Sequence, residues 1–147
     1  MRRALVLPAA SGKSTMIRKG LPSNVVEADD VCHHTETMHL ASLREFGKLT
    51  GNWTPYDREY GRILAERTSK DTIILVASSE LARQAEFCII GRFLLARNLW
   101  LENVVRRGVN PDKYVDNYET ELREDHTMVK SRDELYHAVM QACLYQG

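Results

Sequence analysis

Short apolar runs alternate with longer helix-patterned segments along this chain, and that alternation most narrowly limits its fold. Ala4 to Leu7, Val25 to Ala28, Ile73 to Ala77 and Phe93 to Ala96 read as strands, and Thr127 to Lys130 as a short fifth. Helix-patterned stretches lie between and after them: Ser14 to Lys19 ended by Gly20, Val31 to Gly47, and Thr54 to about Thr68. A segment with Leu81, Ala82, Ala85 and Phe87 follows, then Asn98 to Arg106 closed by Gly108, and Pro111 to about Asp125. Thr54, Ser79 and Asn110 are expected to cap helices, and "SRDE" from Ser131 to Glu134 is a capping box for the last one. Strands joined by helices of this length need crossover connections. The expected fold is therefore α/β, a three-layer sandwich with a mostly parallel five-stranded sheet and helices on both faces.

In such sheets ligands collect at the carboxyl ends of the strands, and the chemically interesting residues fall there. "LVLPAASGKST", Leu5 to Thr15, leaves the first strand and opens a helix. Its second half completes the pattern G-x-x-x-x-G-K-[ST], in which backbone N–H groups curl around phosphate oxygens. Ala9, Ala10, Ser11, Gly12, Lys13, Ser14 and Thr15 are the expected phosphate-binding residues, with Lys13 reaching the terminal phosphates and Ser14 ligating Mg²⁺. The opening glycine is Leu7. If that position needs positive φ, Leu7 forces another backbone path or weakens phosphate binding. Ala10 raises the same question, since many such loops carry glycine there.

"EADDV" places Asp29 and Asp30 after the second strand, where either can take the proton of an acceptor hydroxyl or help hold a metal's water shell. Spacing alone does not separate them. Arg106 and Arg107 end a helix that follows the fourth strand, where cations suit the helix dipole or face a transferring phosphoryl group. His33, His34 and Arg83 are candidates for contact with the acceptor. The spacing of His33, His34 and His39 is unlike H-E-x-x-H, and no Cys-His set completes a metal site. Trp53, Tyr56 and Tyr60, interleaved with Arg58 and Arg62, read as aromatics packed on the core rather than as a stacking platform.

At 147 residues the chain is expected to form one domain, 1–147, with a core sufficient without disulfides or a structural metal. Twenty basic and twenty acidic side chains leave no global field to draw it to nucleic acid or anionic lipid. Cys32, Cys88 and Cys143 are odd in number and form no C-x-x-C pair, so reduced, buried thiols and a cytoplasmic location are expected. The first apolar stretch, broken by Pro8, is too short to span a bilayer and lacks the layout of a secretion signal.

With "SGKST", "EADDV" and "NLWLENVVRRGVNPDKYVDNY" in this order, almost the whole chain resembles the P-loop kinases, most nearly the polynucleotide-kinase-like branch. That resemblance implies a P-loop NTPase fold with ATP and Mg²⁺ as cofactors and a short lid around residues 98–118 carrying Arg106 and Arg107. It also implies a base drawn from the Asp29–Asp30 pair, the first by position. The sequence departs from the branch at Leu7, at "VCHH" where an arginine often follows the aspartates, and at Ser78 and Ser79 where an aspartate is common. The leading expectation is a kinase acting on a hydroxyl of a nucleic acid, at a 5′ end or a hydroxymethylated base, or of a nucleotide. The alternatives are a kinase of a small nucleoside, nucleotide or other metabolite, and a nucleotide-binding protein without catalysis.

Overall fold

A computed structural model describes residues 2–145, with Lys113 described by its backbone alone. Positions 1, 146 and 147 of the expected domain lie outside the described residues. In chain order the elements are β1 (Arg3–Val6), α1 (Lys13–Lys19), β2 (Val25–Glu27), α2 (Ala28–Val31), α3 (Met38–Thr50), α4 (Thr54–Arg67) and β3 (Ile73–Val76). They continue with α5 (Ser79–Gln84), β4 (Cys88–Leu95), α6 (Arg97–Arg106), α7 (Asp112–Leu122), β5 (Thr127–Val129) and α8 (Arg132–Tyr145). The five strands form one sheet in the order β2-β3-β1-β4-β5, and every pairing is parallel. From β1 the chain goes to β2 at one edge, returns to β3 beside β1 and then crosses to β4 and β5 on the other side, so the loop after β1 emerges mid-sheet, where the topology of such folds places ligands.

The period-two pattern of the strands divides the core. Leu5, Leu7, Ile73 and Leu75 face one cluster with Met16, Trp100, Val104, Tyr118, Leu135 and Val139, which are supplied by α1, α6, α7 and α8. Ala4, Val6, Ile74 and Val76 face the other, with Leu40, Tyr56, Tyr60, Ile63, Leu64 and Leu81 from α3, α4 and α5. Each large side chain so buried contributes about 1.5–3 kcal/mol. That explains why the central strands are apolar throughout rather than alternating.

Several expected boundaries move for local reasons. The helix expected from Val31 to Gly47 is interrupted: Cys32 is extended (φ −151°, ψ 119°), and the Thr37 hydroxyl accepts Leu40 N–H at 3.0 Å to start α3 afresh. Trp53, not Thr54, is the cap position of α4, and Asn52 Oδ1 accepts Thr54 N–H at 3.2 Å. Ser78 replaces Ser79 as the cap of α5, accepting Leu81 N–H at 3.2 Å. β4 begins at Cys88 and runs through Gly91, where a Cβ would come 2.9 Å from Phe93 Cε2 and 3.0 Å from Leu5 Cδ2. That glycine permits close packing inside the strand and does not mark its start. α5 and α7 stop at Gln84 and Leu122, short of Phe87 and Asp125. Ser131 Oγ accepts Glu134 N–H at 3.0 Å as expected, while Glu134 reaches back to Lys130 N–H at 3.1 Å. Cys32 and Cys143 are buried, but Cys88, at the start of β4, is exposed. Among the described residues no helix is long and apolar enough to cross a membrane.

Candidate active site

The loop after β1 does not bend where the motif suggested. Leu7 continues the strand path, its N–H donating to Val76 O at 2.9 Å, and its side chain is fully buried in the core. Among the described non-glycine residues only Ala10 (φ 70°) and Glu86 (φ 60°) have positive φ. Of the two positions where the sequence raised the question, Leu7 and Ala10, the strain falls at Ala10 alone. Gly12 (φ 89°) takes the second left-handed turn before α1. Ala10→Gly should stabilise the protein by up to about 1 kcal/mol, because relief of the left-handed penalty exceeds the added chain entropy; equilibrium denaturant unfolding measures this.

Side chains from the other half of the chain hold this loop. Trp100 Nε1 donates to Ala9 O at 2.8 Å, and Asn103 Nδ2 to Ala10 O at 2.9 Å. Asn117 Oδ1 accepts Ala9 N–H at 2.7 Å while its Nδ2 donates to Ala77 O at 2.7 Å, tying the loop to the end of β3. Ser11 turns inward, its N–H and hydroxyl both donating to Pro8 O at 3.2 and 2.6 Å. Trp100, Asn103 and Asn117 lie in the segment 98–118 whose resemblance suggested a lid, but none of the three was singled out from the sequence. Trp100 stacks on Tyr118 at 4.5 Å, so the segment expected as a lid has a buried inner face and exposes Arg106 and Arg107 at the end of α6.

Lys13 is buried, with Nζ donating to Leu7 O at 3.0 Å and Pro8 O at 3.3 Å. Burial lowers its pKa to about 8, against the opposing pull of Glu27 and Asp29 and with a further push from Arg107. Ser14 Oγ donates to Glu27 Oε2 at 2.6 Å, so a carboxylate from β2 stands beside the phosphate-loop serine. Glu27 was not singled out in the sequence, where it precedes the more conspicuous aspartates. Asp29 accepts a hydrogen bond from Tyr60 Oη at 3.1 Å; Tyr60 Oη also donates to Cys32 O at 2.7 Å.

Two cavities flank the loop. One, of about 160 Å³, is lined by Lys13, Glu27, Asp29, Tyr56, Asp57 and Ser78 among others. The second, of about 280 Å³, is lined by Ala10, Gly12, Thr15, Arg106, Arg107 and Arg132 among others. Asp29 reaches the smaller cavity, whereas Asp30, one residue on, does not line it. Arg106 and Arg107 form no ion pair with any described residue.

Asp57, in the first turn of α4, is 8% exposed, and its carboxylate takes no hydrogen bond from a described residue. Burial, and secondarily Glu80, raises its pKa to about 7. The folded form then holds a proton that the unfolded chain has lost, so this group costs stability as pH rises from about 4 to about 7. Asp57→Asn should be more stable than the parent at pH 7.5 and show a flatter pH profile across that interval, read from thermal unfolding.

Other expected residues lie elsewhere. His33 and His34 stack on each other at 4.2 Å in the loop before α3; His33 Nδ1 accepts Thr35 N–H at 3.3 Å, and His34 O accepts from Tyr56 Oη at 2.9 Å. Neither lines the smaller cavity. Arg83 pairs with Glu124 at 2.7 Å and Glu80 at 3.4 Å, also away from it. Tyr56 and Tyr60 are buried in the core as expected, while Trp53 is partly exposed. Of the two serines after β3, Ser78 lines the cavity and Ser79 is bound to buried Glu121 and to Arg92.

No protein-family model matches this chain, and no curated protein matches it. Among solved structures it is similar to an unliganded sugar kinase from Janibacter sp. HTCC2649, at TM-score 0.55 and 16% identity over 96% of this chain and 93% of that one. It is also similar to a gluconokinase from Sinorhizobium meliloti 1021, at TM-score 0.50 and 16% identity over 97% of this chain and 90% of that one. At such identity the likeness is one of fold, and it spans nearly the whole chain: the α/β fold is the one the phosphate-loop motif implied.

Proposed function

We propose that this protein is an ATP- and Mg²⁺-dependent kinase that moves the γ-phosphoryl group to a hydroxyl of a small metabolite. The observation that carries the reading is buried Lys13 beside Asp29 on the smaller cavity, with Arg106 and Arg107 on the larger cavity that Ala10, Ser11 and Gly12 of the same loop also line. The larger cavity takes the nucleotide and the smaller one the acceptor. Fold likeness to a sugar kinase and a gluconokinase supports a small hydroxylated metabolite rather than a polymer as acceptor.

The residues present fit the cofactors. Ser14 hydroxyl and Glu27 carboxylate, 2.6 Å apart at the loop, are hard oxygen donors. Mg²⁺ commonly takes only one or two carboxylates, with substrate phosphates and water completing its shell. When bound, Mg²⁺ neutralises charge on the phosphate oxygens. Lys13 exchanges the carbonyls of Leu7 and Pro8 for phosphate oxygens, and Arg106 and Arg107 balance negative charge from the far side. Asp29 accepts the acceptor's hydroxyl proton as that oxygen bonds to the γ-phosphorus and the bond to the β–γ bridging oxygen breaks. Tyr60 holds the Asp29 carboxylate in place. Asp29→Asn should lower kcat on the order of 10²-fold by removing the base.

The nucleic-acid acceptor, placed first by motif resemblance, has less support. His33, His34 and Arg83 do not line the acceptor cavity, and no arginine or histidine does. The discriminating measurement is transfer from γ-labelled ATP to a panel of polyols, nucleosides and 5′-hydroxyl oligonucleotides. Transfer to a polyol supports the reading, transfer to the oligonucleotide alone restores the motif's first suggestion, and ATP binding without transfer identifies a nucleotide-binding protein. The free thiols at Cys32, Cys88 and Cys143 support a reducing compartment such as the cytoplasm.

A further inference from the structure

The acceptor cavity has a marked charge imbalance. Among the described residues three carboxylates line it, Glu27, Asp29 and Asp57, against one cation, Lys13, whose Nζ donates to Leu7 O in the phosphate loop. Charged groups on the surrounding elements do not redress this. From α3, Arg44 is felt at Tyr56 but does not line the cavity; from α5, Glu80 adds negative field at Asp57; from α6, Arg107 acts on Lys13 from the other side of the loop. Arg67 and Arg83 are paired with Glu36 and Glu124, each at 2.7 Å.

The carboxylates also differ in what they have left to bind. Glu27 is engaged by Ser14 and Asp29 by Tyr60, each through one oxygen. Asp57 is more than nine-tenths buried, lines the cavity and takes no hydrogen bond from a described residue. Among the described residues no buried side-chain oxygen lacks a partner, so the oxygens of Asp57 that take no hydrogen bond are open to the cavity, where a ligand can reach them. The volume of about 160 Å³ is below the several hundred Å³ of most ligand pockets and admits a small molecule.

We infer that the acceptor is a small polyhydroxy compound without a phosphate or carboxylate, and that Asp57 selects it by accepting hydrogen bonds from a second hydroxyl or an amine. This rests on the kinase reading above. An aldonate, a sugar phosphate or a nucleic-acid terminus would bring its charge beside Asp29 and Asp57, while Lys13 and the Mg²⁺ that Glu27 would help hold are committed to the transferring phosphates; hydroxyl and ammonium donors instead satisfy Asp57. Asp29 addresses the hydroxyl that reacts, and Asp57 holds another one.

The test is phosphoryl transfer to matched sets of three- to six-carbon acceptors, each polyol or aldose beside its amine, its carboxylate and its phosphate ester, in parent and Asp57→Asn proteins. The expected result is kcat/KM at least tenfold higher for the neutral or amine member than for its anionic counterparts. The amine arm separates the two donors available to Asp57. Asp57→Asn should raise KM for the preferred acceptor about tenfold with a smaller loss in kcat, and should narrow the discrimination against the carboxylate. Thermal unfolding of the variant checks that it is folded. Preference for an anionic member, or an unchanged KM in folded Asp57→Asn, overturns this inference and leaves the kinase reading intact. Absence of transfer to every member overturns the kinase reading, and this inference with it.

Discussion

Leu7→Gly, which completes the phosphate-loop pattern on paper, is expected to lower stability by about 3–5 kcal/mol and to leave ATP affinity no better. Leu7 is fully buried among the side chains between β1 and its covering helices, and its backbone continues the strand to Val76. Nothing there calls for positive φ, so glycine gains no conformational relief. It empties a core site and adds entropy to the unfolded chain. Domains of this size are stable by only about 5–15 kcal/mol, so the loss takes a large share. Denaturant unfolding at 25 °C, with calorimetric ATP binding on the folded protein, checks both parts. A variant within 1 kcal/mol of the parent that binds ATP more tightly would show that the loop was damaged at Leu7 after all.

The second large effect is expected from Lys13→Met, which keeps the length of the side chain and removes its charge. In the reaction proposed above Lys13 meets developing phosphate charge, so phosphoryl transfer should fall on the order of 10³-fold. Unfolding should respond differently. Lys13 is uncharged more readily in the folded state than in the unfolded chain, because burial lowers its pKa from 10.5 to about 8. The penalty for burying the ammonium is fully present below pH 8 and is relieved as pH rises toward 10.5. The parent should therefore gain on the methionine variant by roughly 2 kcal/mol between pH 8 and 10. Tyr56 and Tyr60, which burial also shifts, are common to both proteins and drop out of the difference. Parallel stability profiles would mean that Lys13 is not held in a dry site, and normal turnover would remove it from the catalytic machinery.

Ser78 and Leu7 illustrate what local sequence signals miss. Each of Ser78 and Ser79 can cap a helix, and the choice between them is made by buried Glu121, which takes the Ser79 hydroxyl and N–H and leaves Ser78 to cap. The motif marked position 7 by the residue it lacked, yet the backbone places the left-handed residue at Ala10, where Trp100 and Asn103 hold the neighbouring carbonyls. Glu27 and Asp57 escaped notice because their significance depends on partners: one meets Ser14 across β2 and α1, and the other is enclosed by a helix and a sheet edge.

The sequence by itself determined the layered architecture and the position of the phosphate loop. Apolar runs such as Ile73 to Val76 are buried on both faces of the sheet, and only crossover helices can cover both. Those are local patterns, legible without knowing what lies opposite. Tertiary structure decided which polar groups share a site. Asp29 and Asp30 are adjacent in sequence, but successive residues of a helical turn point about 100° apart. Asp29, held by Tyr60, lines the smaller cavity and Asp30 does not. For Asp57 the deciding quantity was enclosure, which sets a carboxylate of the first turn of α4 on a cavity wall with little other exposure.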